Sequence, residues 1–315
     1  MGNTTTRPLL FDSHAHLVAD DQVRYPRNPM QRSPDAPYRP PGVIGIPGGH
    51  HGPNPVHEVP DASRMLAWMK EQNVDSIVAV QKRMIYRVDN SYIIDSADKY
   101  PDLFSAVVIL DAEDAGTPAL IRQYALDNGL AGVRLFGVRK PDGSMPWLNS
   151  PQALKTWDVT QECGLAMDLE VLARGGGGVA IPAVIALARR YRGIRIVLDH
   201  LLDPEPHAGD THFGLDERFE ALAHEQNFYF KFTSINLDVC REANVPAEKQ
   251  LRRAVDLYGA DRVMWGSDIG TSSGTYKEMV QRFLEAAVLL TPDEQRAVFH
   301  DTGRRVFIKG GSKPA

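Results

Sequence analysis

Short runs rich in β-branched and aromatic residues alternate with apolar-periodic segments along most of the chain. This rhythm limits the fold more than any other feature. Strand-like runs occupy residues 9–13, 76–81, 104–110, 130–136, 165–171, 194–199, 228–232 and 262–265. Helical patterns cover residues 62–72, 91–99, 118–127, 150–163, 180–191, 216–226, 246–258 and 275–290. Strands that alternate with helices run parallel, because each helix carries the chain back to the starting edge. Eight such units predict closure into a (β/α)8 TIM barrel, a single domain over residues 1–315. A further C-terminal helix is signalled by Thr291 as N-cap, Pro292 in the first turn and Glu294 three residues after the cap. Residues 18–61 break the rhythm. They are rich in Pro and Gly and carry Tyr25, Tyr38, His50, His51 and His57. A loop this long in a compact domain is usually functional or disordered. Its place directly after the first strand predicts a lid over the barrel mouth, with a surface ornament as the alternative.

Composition narrows the class. A length of 315 residues is usual for such a barrel, and 43% hydrophobic with 24% charged residues is a globular balance. The net charge of −5 with no basic block carries no nucleic-acid footprint. No apolar run approaches the ~20 residues of a membrane helix. The start, Met1 to Pro8, has no apolar signal core. Gly2 with Thr6 formally fits a myristoylation pattern, a match this short being commonly accidental. Two cysteines, Cys163 and Cys240, fit a reduced cytoplasmic protein. The expected partner is a small-molecule substrate, with no nucleic acid and no membrane; a homo-oligomer is left open.

In a barrel of this kind the active site lies at the C-terminal ends of the strands, so the strand ends map the candidate site. The run Leu9-Leu10-Phe11-Asp12-Ser13-His14-Ala15-His16-Leu17 ends in two histidines spaced i, i+2, which share one face of a strand. Two imidazoles together suit a divalent metal or a pair of donors that polarise a carbonyl; chance is the alternative in a chain with ten histidines. The second strand ends in Gln81 and the fourth delivers Arg134. The fifth offers Asp168 and Glu170, and His200, Lys231 and Asp268 close the last three. Asp268 is the candidate general base, an ionised carboxylate that orients a water and takes its proton; a helix N-cap is its bland role. His200 is read as a donor to a carbonyl or oxyanion, or else as a structural histidine. Arg134 suits bidentate binding of a substrate carboxylate, or a salt bridge inside the barrel. Gly175-Gly176-Gly177-Gly178 lacks the Lys-Ser/Thr of a phosphate loop and reads as a flexible connection.

Taken in order, Phe11-Asp12-Ser13-His14-Ala15-His16, Val80-Gln81 followed by Asp89-Asn90, Gly132-Val133-Arg134, Leu198-Asp199-His200 and Trp265-Gly266-Ser267-Asp268 resemble the amidohydrolase superfamily. Within it they look like the branch of 2-pyrone-4,6-dicarboxylate lactonase and related sugar- and muconolactone hydrolases. The resemblance runs from about residue 9 to the C-terminus. It implies a hydrolase, a lactonase that opens a small carboxylated cyclic ester. Asp268 would activate water while His14, His16 and His200 polarise the carbonyl. It also implies His14, His16 and Asp268 as ligands of a divalent Zn or Mn ion. Glu170 would stand where many amidohydrolases have a strand-five histidine. The pyrone-dicarboxylate lactonases work without metal, so a metal-independent site is the other option. The chain departs from that branch in three places: no arginine in residues 232–237, a different residue set at 82–87, and Ile269-Gly270 after Asp268. These departures tell against the pyrone dicarboxylate itself as the substrate. They leave Arg134, Tyr38, Tyr86, Arg87, Asn90 and Lys231 as candidates for substrate contacts. Two rival readings are a metal-dependent, non-oxidative decarboxylase of an aromatic or muconate-like acid, and a ligand-binding barrel without catalysis.

Overall fold

The computed structural model describes residues 8–29, 59–127, 129–172, 177–272 and 274–308. Eight parallel strands lie in sequence order: β1 (Leu10–His16), β2 (Val74–Val80), β3 (Phe104–Ile109), β4 (Gly132–Val138), β5 (Ala166–Leu172), β6 (Ile196–Leu198), β7 (Phe228–Thr233) and β8 (Val263–Gly266). Helices lie between them, giving the expected (β/α)8 barrel. Strand parity separates two cores. One set, including Ile77, Val108, Leu135, Leu169 and Phe230, packs outward against the helices. The other, including Phe11, Val78, Val107, Ala166, Val197 and Met264, fills the interior.

The barrel closes between β1 and β8 through specific contacts. The Asp12 carboxylate accepts the Ser267 backbone N–H at 2.8 Å, and the Asp268 N–H reaches the His14 carbonyl at 2.7 Å. The Ser13 hydroxyl donates to the Trp265 carbonyl. Gly266 allows the close approach: a Cβ there would stand 2.7 Å from the Cβ of His14.

Helix ends follow local chemistry. Asp61 caps Ala62–Gln72 by accepting from Arg64 N, and Ser150 caps Pro151–Glu162 by accepting from Ala153 N. Thr291 and Glu294 form the expected capping box at Pro292–Arg296. The chain then passes through one wide turn into the last helix, Thr302–Phe307. Several details depart from the sequence reading, among them two short helices, Arg83–Tyr86 and Pro146–Asn149. β1 extends through His16, so both histidines lie within the strand. The helix expected at 216–226 is two short pieces, Glu217–Glu220 and Ala221–His224. A helix unmarked in the sequence, Ser234–Glu242, starts immediately after β7.

Of the long segment after β1, only residues 18–29 and 59–61 are described, and both ends are pinned. Val18 N–H bonds the Pro60 carbonyl at 2.9 Å, and Tyr25 packs edge-on against Tyr92. Tyr38, His50, His51 and His57, and the lid they were expected to form, lie outside the described residues.

The last helix plugs the barrel floor, where Val306 and Phe307 join the interior apolar cluster. Phe307 is 2% exposed. Replacing it with alanine leaves a cavity beneath the strands, and Phe307→Ala should lower the unfolding free energy by about 3 kcal/mol or more. Urea denaturation checks this; a loss below ~1 kcal/mol would show that the floor stands without the plug.

Candidate active site

Above the apolar floor the interior turns ionic. Arg134 on β4 and Asp168 on β5 sit in register. Lys231 on β7 pairs with Asp168 and, at 3.1 Å, with Asp199 just after β6. Arg134 donates its Nε to Asp199 at 2.7 Å and an Nη2 proton to Glu170. All five side chains are buried. Burial alone would drive Asp199 toward its neutral form. Lys231, Arg134 and His14 outweigh that and hold its carboxyl well below the ordinary range. Arg134 is likewise held charged: Glu170, Asp199 and Asp268 outweigh its burial.

His14 stands on this network. Its Nδ1 faces Asp199 Oδ1 at 3.4 Å and Lys231 Nζ at 3.3 Å. Asp199 can accept from Nδ1 and the Lys231 ammonium can donate to it, and in either case Nε2 is the ring nitrogen that faces the mouth. That Nε2 is buried without a hydrogen-bond partner, 3.6 Å from Asp268 Oδ1. His16 shows the same arrangement. Its Nδ1 is 2.9 Å from the Val80 carbonyl, which can only accept, so Nδ1 carries the proton. Its Nε2 lies 2.9 Å from Asp268 Oδ1. Burial, with Lys82 nearby, lowers His16 to about 4, so at neutral pH a lone pair faces a carboxylate. Burial raises the Asp268 carboxyl, but protons on the surrounding histidines outweigh it, so the carboxyl lies far below its usual range and stays ionised as they titrate. A lone pair turned toward a carboxylate, beside a second imidazole nitrogen without a partner, calls for a cation between them. Oδ2 of Asp268 is also buried without a partner. His14, His16 and Asp268 therefore fit a divalent ion, and their donor atoms lie within 4.8 Å of one another.

Glu170 does not join that group. It lies with Asp199 and His200 in a second cluster, drawn there by the Arg134 guanidinium. Arg134 itself is engaged by two carboxylates, the salt bridge inside the barrel rather than a free clamp. Lys231 lies beneath His14, not at the mouth.

Other expected substrate contacts also do structural work. The Tyr86 hydroxyl accepts the Ala19 N–H at 2.9 Å. Asn90 bonds both the N–H and the carbonyl of Ile109. Gln81 bonds the Asp89 carbonyl and the Lys82 N–H. Arg87 is exposed and lies 3.4 Å from the Pro29 carbonyl. Each is a contact within the protein, which strand-end position alone does not distinguish from substrate binding.

His200 reaches the site through a strained turn. His200, Leu201, Leu202 and Asp203 all have left-handed backbone, with φ of 54°, 58°, 63° and 48°. Such backbone costs roughly 1–2 kcal/mol per residue and concentrates at functional sites. The Asn236 side chain holds the turn by donating to the His200 carbonyl at 2.8 Å. Gly177 packs against it so closely that a Cβ would lie 2.1 Å from the Leu202 oxygen. The glycine run is thus a close-packing device at Gly177; Gly175 and Gly176 lie outside the described residues. The His200 ring, 5.5 Å from that of His14, has its Nδ1 2.7 Å from the Thr233 hydroxyl.

Two residues unmarked in the sequence complete the mouth. Asp199, adjacent to His200, is the hub described above. Lys82, just past β2, donates to the Thr271 hydroxyl at 2.7 Å, and Thr271 donates to Asp268 Oδ1 at 3.0 Å. The available signal for Lys82 was an unusual cation after Gln81.

A family model described as amidohydrolase matches residues 11–308. An L-fucono-1,5-lactonase from Burkholderia ambifaria is 28% identical over 184 residues, spanning 57% of this chain and 60% of that protein. Among solved structures, a putative 2-pyrone-4,6-dicarboxylic acid hydrolase from Pseudomonas putida superposes with a TM-score of 0.67 at 21% identity, over 96% of this chain and 98% of that one. A 2,6-dihydroxybenzoate decarboxylase from Rhizobium superposes with a TM-score of 0.62 at 15% identity, over 96% and 98%. At these identities the structural likenesses establish the fold.

The pKa directions set how an ion competes with protons. His16 has its folded value near 4, below the ordinary 6.5, so it is already unprotonated at neutral pH. His14 is lowered as well, chiefly by burial. Binding of Zn2+ or Mn2+ at pH ~7 should release close to no protons, and affinity should hold down to pH ~5 and fall below it. Calorimetry in buffers of different ionisation enthalpy checks this; release of a full proton per ion at pH ~7 would contradict the geometry.

Proposed function

The chain belongs to the amidohydrolase family, and on that premise we propose that it is a hydrolase opening a small cyclic ester that bears a carboxylate. The observation that carries this reading is the state of Asp268. Its carboxyl is buried beside His14 and His16, and its Oδ2 has no hydrogen-bond partner. Such a group accepts protons. Ester hydrolysis needs a base for water, whereas decarboxylation of an aromatic acid needs a proton donor to carbon. The lactonase relative supports the same choice.

The residues then take distinct roles. His14, His16 and Asp268 would hold a divalent ion, which when bound supplies Lewis-acid polarisation of a carbonyl or a water. Asp268 Oδ2 takes the proton of the attacking water. The Thr233 hydroxyl has Nδ1 of His200 at 2.7 Å but Asn236 Oδ1 at 3.5 Å, so its proton points to Nδ1. That leaves Nε2–H of His200 as the donor to the oxyanion that forms when water adds to the ester carbon. Collapse breaks the ring C–O bond, and the proton held on Asp268 passes to the departing alkoxide. The ionic layer below keeps His14 in place.

Asp268→Asn should lower kcat about 10³-fold while the unfolding midpoint stays within a few degrees. A pH-stat assay over carboxylated lactones reads this as lost acid release. Retained turnover would remove Asp268 as the base. Carbon dioxide release with proton uptake from an aromatic acid, and no lactone opening, would replace the hydrolase reading with a decarboxylase.

A further inference from the structure

Cations inside the barrel and at its mouth fall into two kinds. Arg134 and Lys231 each contact two carboxylates and are neutralised in place. Lys82 and Arg83, the second and third residues after β2, are held differently. Lys82 donates to the Thr271 hydroxyl at 2.7 Å. Arg83 donates to the Phe136 carbonyl at 2.7 Å and lies over the Phe136 ring, 4.4 Å from its centroid. Among the described residues, neither makes a contact with a carboxylate. Neutral acceptors orient these two cations without cancelling their charge, and both are half-buried, so water cancels it only in part. Burial, with Arg134 pushing the same way, lowers Lys82 to about 8. The cost of partly desolvating these two cations, consecutive in the chain, is recovered when an anion binds them.

We propose that Lys82 and Arg83 form the subsite for the carboxylate of the substrate, the role that strand-end position had suggested for Arg134. The proposal rests on the reading that this barrel opens a small carboxylated cyclic ester. A single hydroxyl, that of Thr271, separates the Lys82 ammonium from Asp268. A carboxylate on Lys82 and Arg83 therefore anchors a ring beside the proposed base, with Lys82 standing between the two like charges. The class of ligand is a small ring acid with its carboxylate next to the ring. Charge-assisted hydrogen bonds from both cations would set the preference for it over an uncharged ring.

The test uses tetrahydropyran-2-carboxylate, a ring acid with no ester to hydrolyse, and tetrahydropyran-2-methanol, its uncharged counterpart. Titration calorimetry on the full chain should show the acid binding about tenfold tighter or more than the alcohol. Lys82→Met and Arg83→Gln should each cut that preference severalfold, and the double variant should abolish it. Lys82→Arg, which keeps the charge, should retain most of it and shows that the position tolerates replacement. No preference in the wild type, or a preference unchanged in the double variant, overturns the subsite. Binding needs no turnover, so the two readings fail separately. A preference that depends on Lys82 and Arg83 without hydrolysis of any lactone upholds the subsite and overturns the hydrolase. Equal kcat/KM for δ-valerolactone and its ring-carboxylated analogue upholds the hydrolase and overturns the subsite.

Discussion

Asp199 balances the charge inside this barrel. Its carboxylate accepts from Arg134 at 2.7 Å, pairs with the Lys231 ammonium at 3.1 Å, and faces His14 Nδ1 at 3.4 Å. Without it, two buried cations would each lose a counterion, a class of change that costs about 3–5 kcal/mol. The same oxygen atoms orient His14. Stability and site geometry thus share one residue, and the ionic layer serves as rigid support for the imidazoles above it.

A second constraint is backbone strain. Strand parity would send Asp199 and His200 to opposite faces of the sheet. β6 instead stops at Leu198, and the left-handed run from His200 to Asp203 brings both side chains to the interior. Asp268 is likewise left-handed, at φ 51°, and is held there by its hydrogen bond to the His14 carbonyl. Gly177 and Asn236 keep the first turn in place. Such conformations persist only where neighbours over-determine them. The arrangement places a donor and a carboxylate near the same pair of histidines.

Much of this was legible beforehand. The β/α alternation announces the barrel, and the spacing of His14 and His16 puts them on one face of a strand. Strand-end position brings Asp268 to the same mouth. Partner choice was not legible. Tyr86 and Asn90 sit where substrate contacts were expected, yet their polar atoms are occupied by Ala19 and Ile109. Glu170 has the parity to reach the interior, but Arg134 draws it away from the histidine pair. The helix Ser234–Glu242 went unmarked because it begins without a break after β7, leaving no turn signal between the two.

The sequence by itself determined periodicity and parity, and with them the parallel barrel and the shared face of His14 and His16 on its first strand. These are local properties, fixed by side-chain order along each strand and helix. Only the tertiary structure decided which charges are neutralised. Arg134 finds Asp199 at a separation of 65 residues, Lys231 finds Asp168 at 63, and Lys82 reaches Thr271 at 189. Ion pairing depends on distances between strands that barrel closure sets. Whether a cation is spent on the fold or left for a ligand therefore appears only once the barrel has closed.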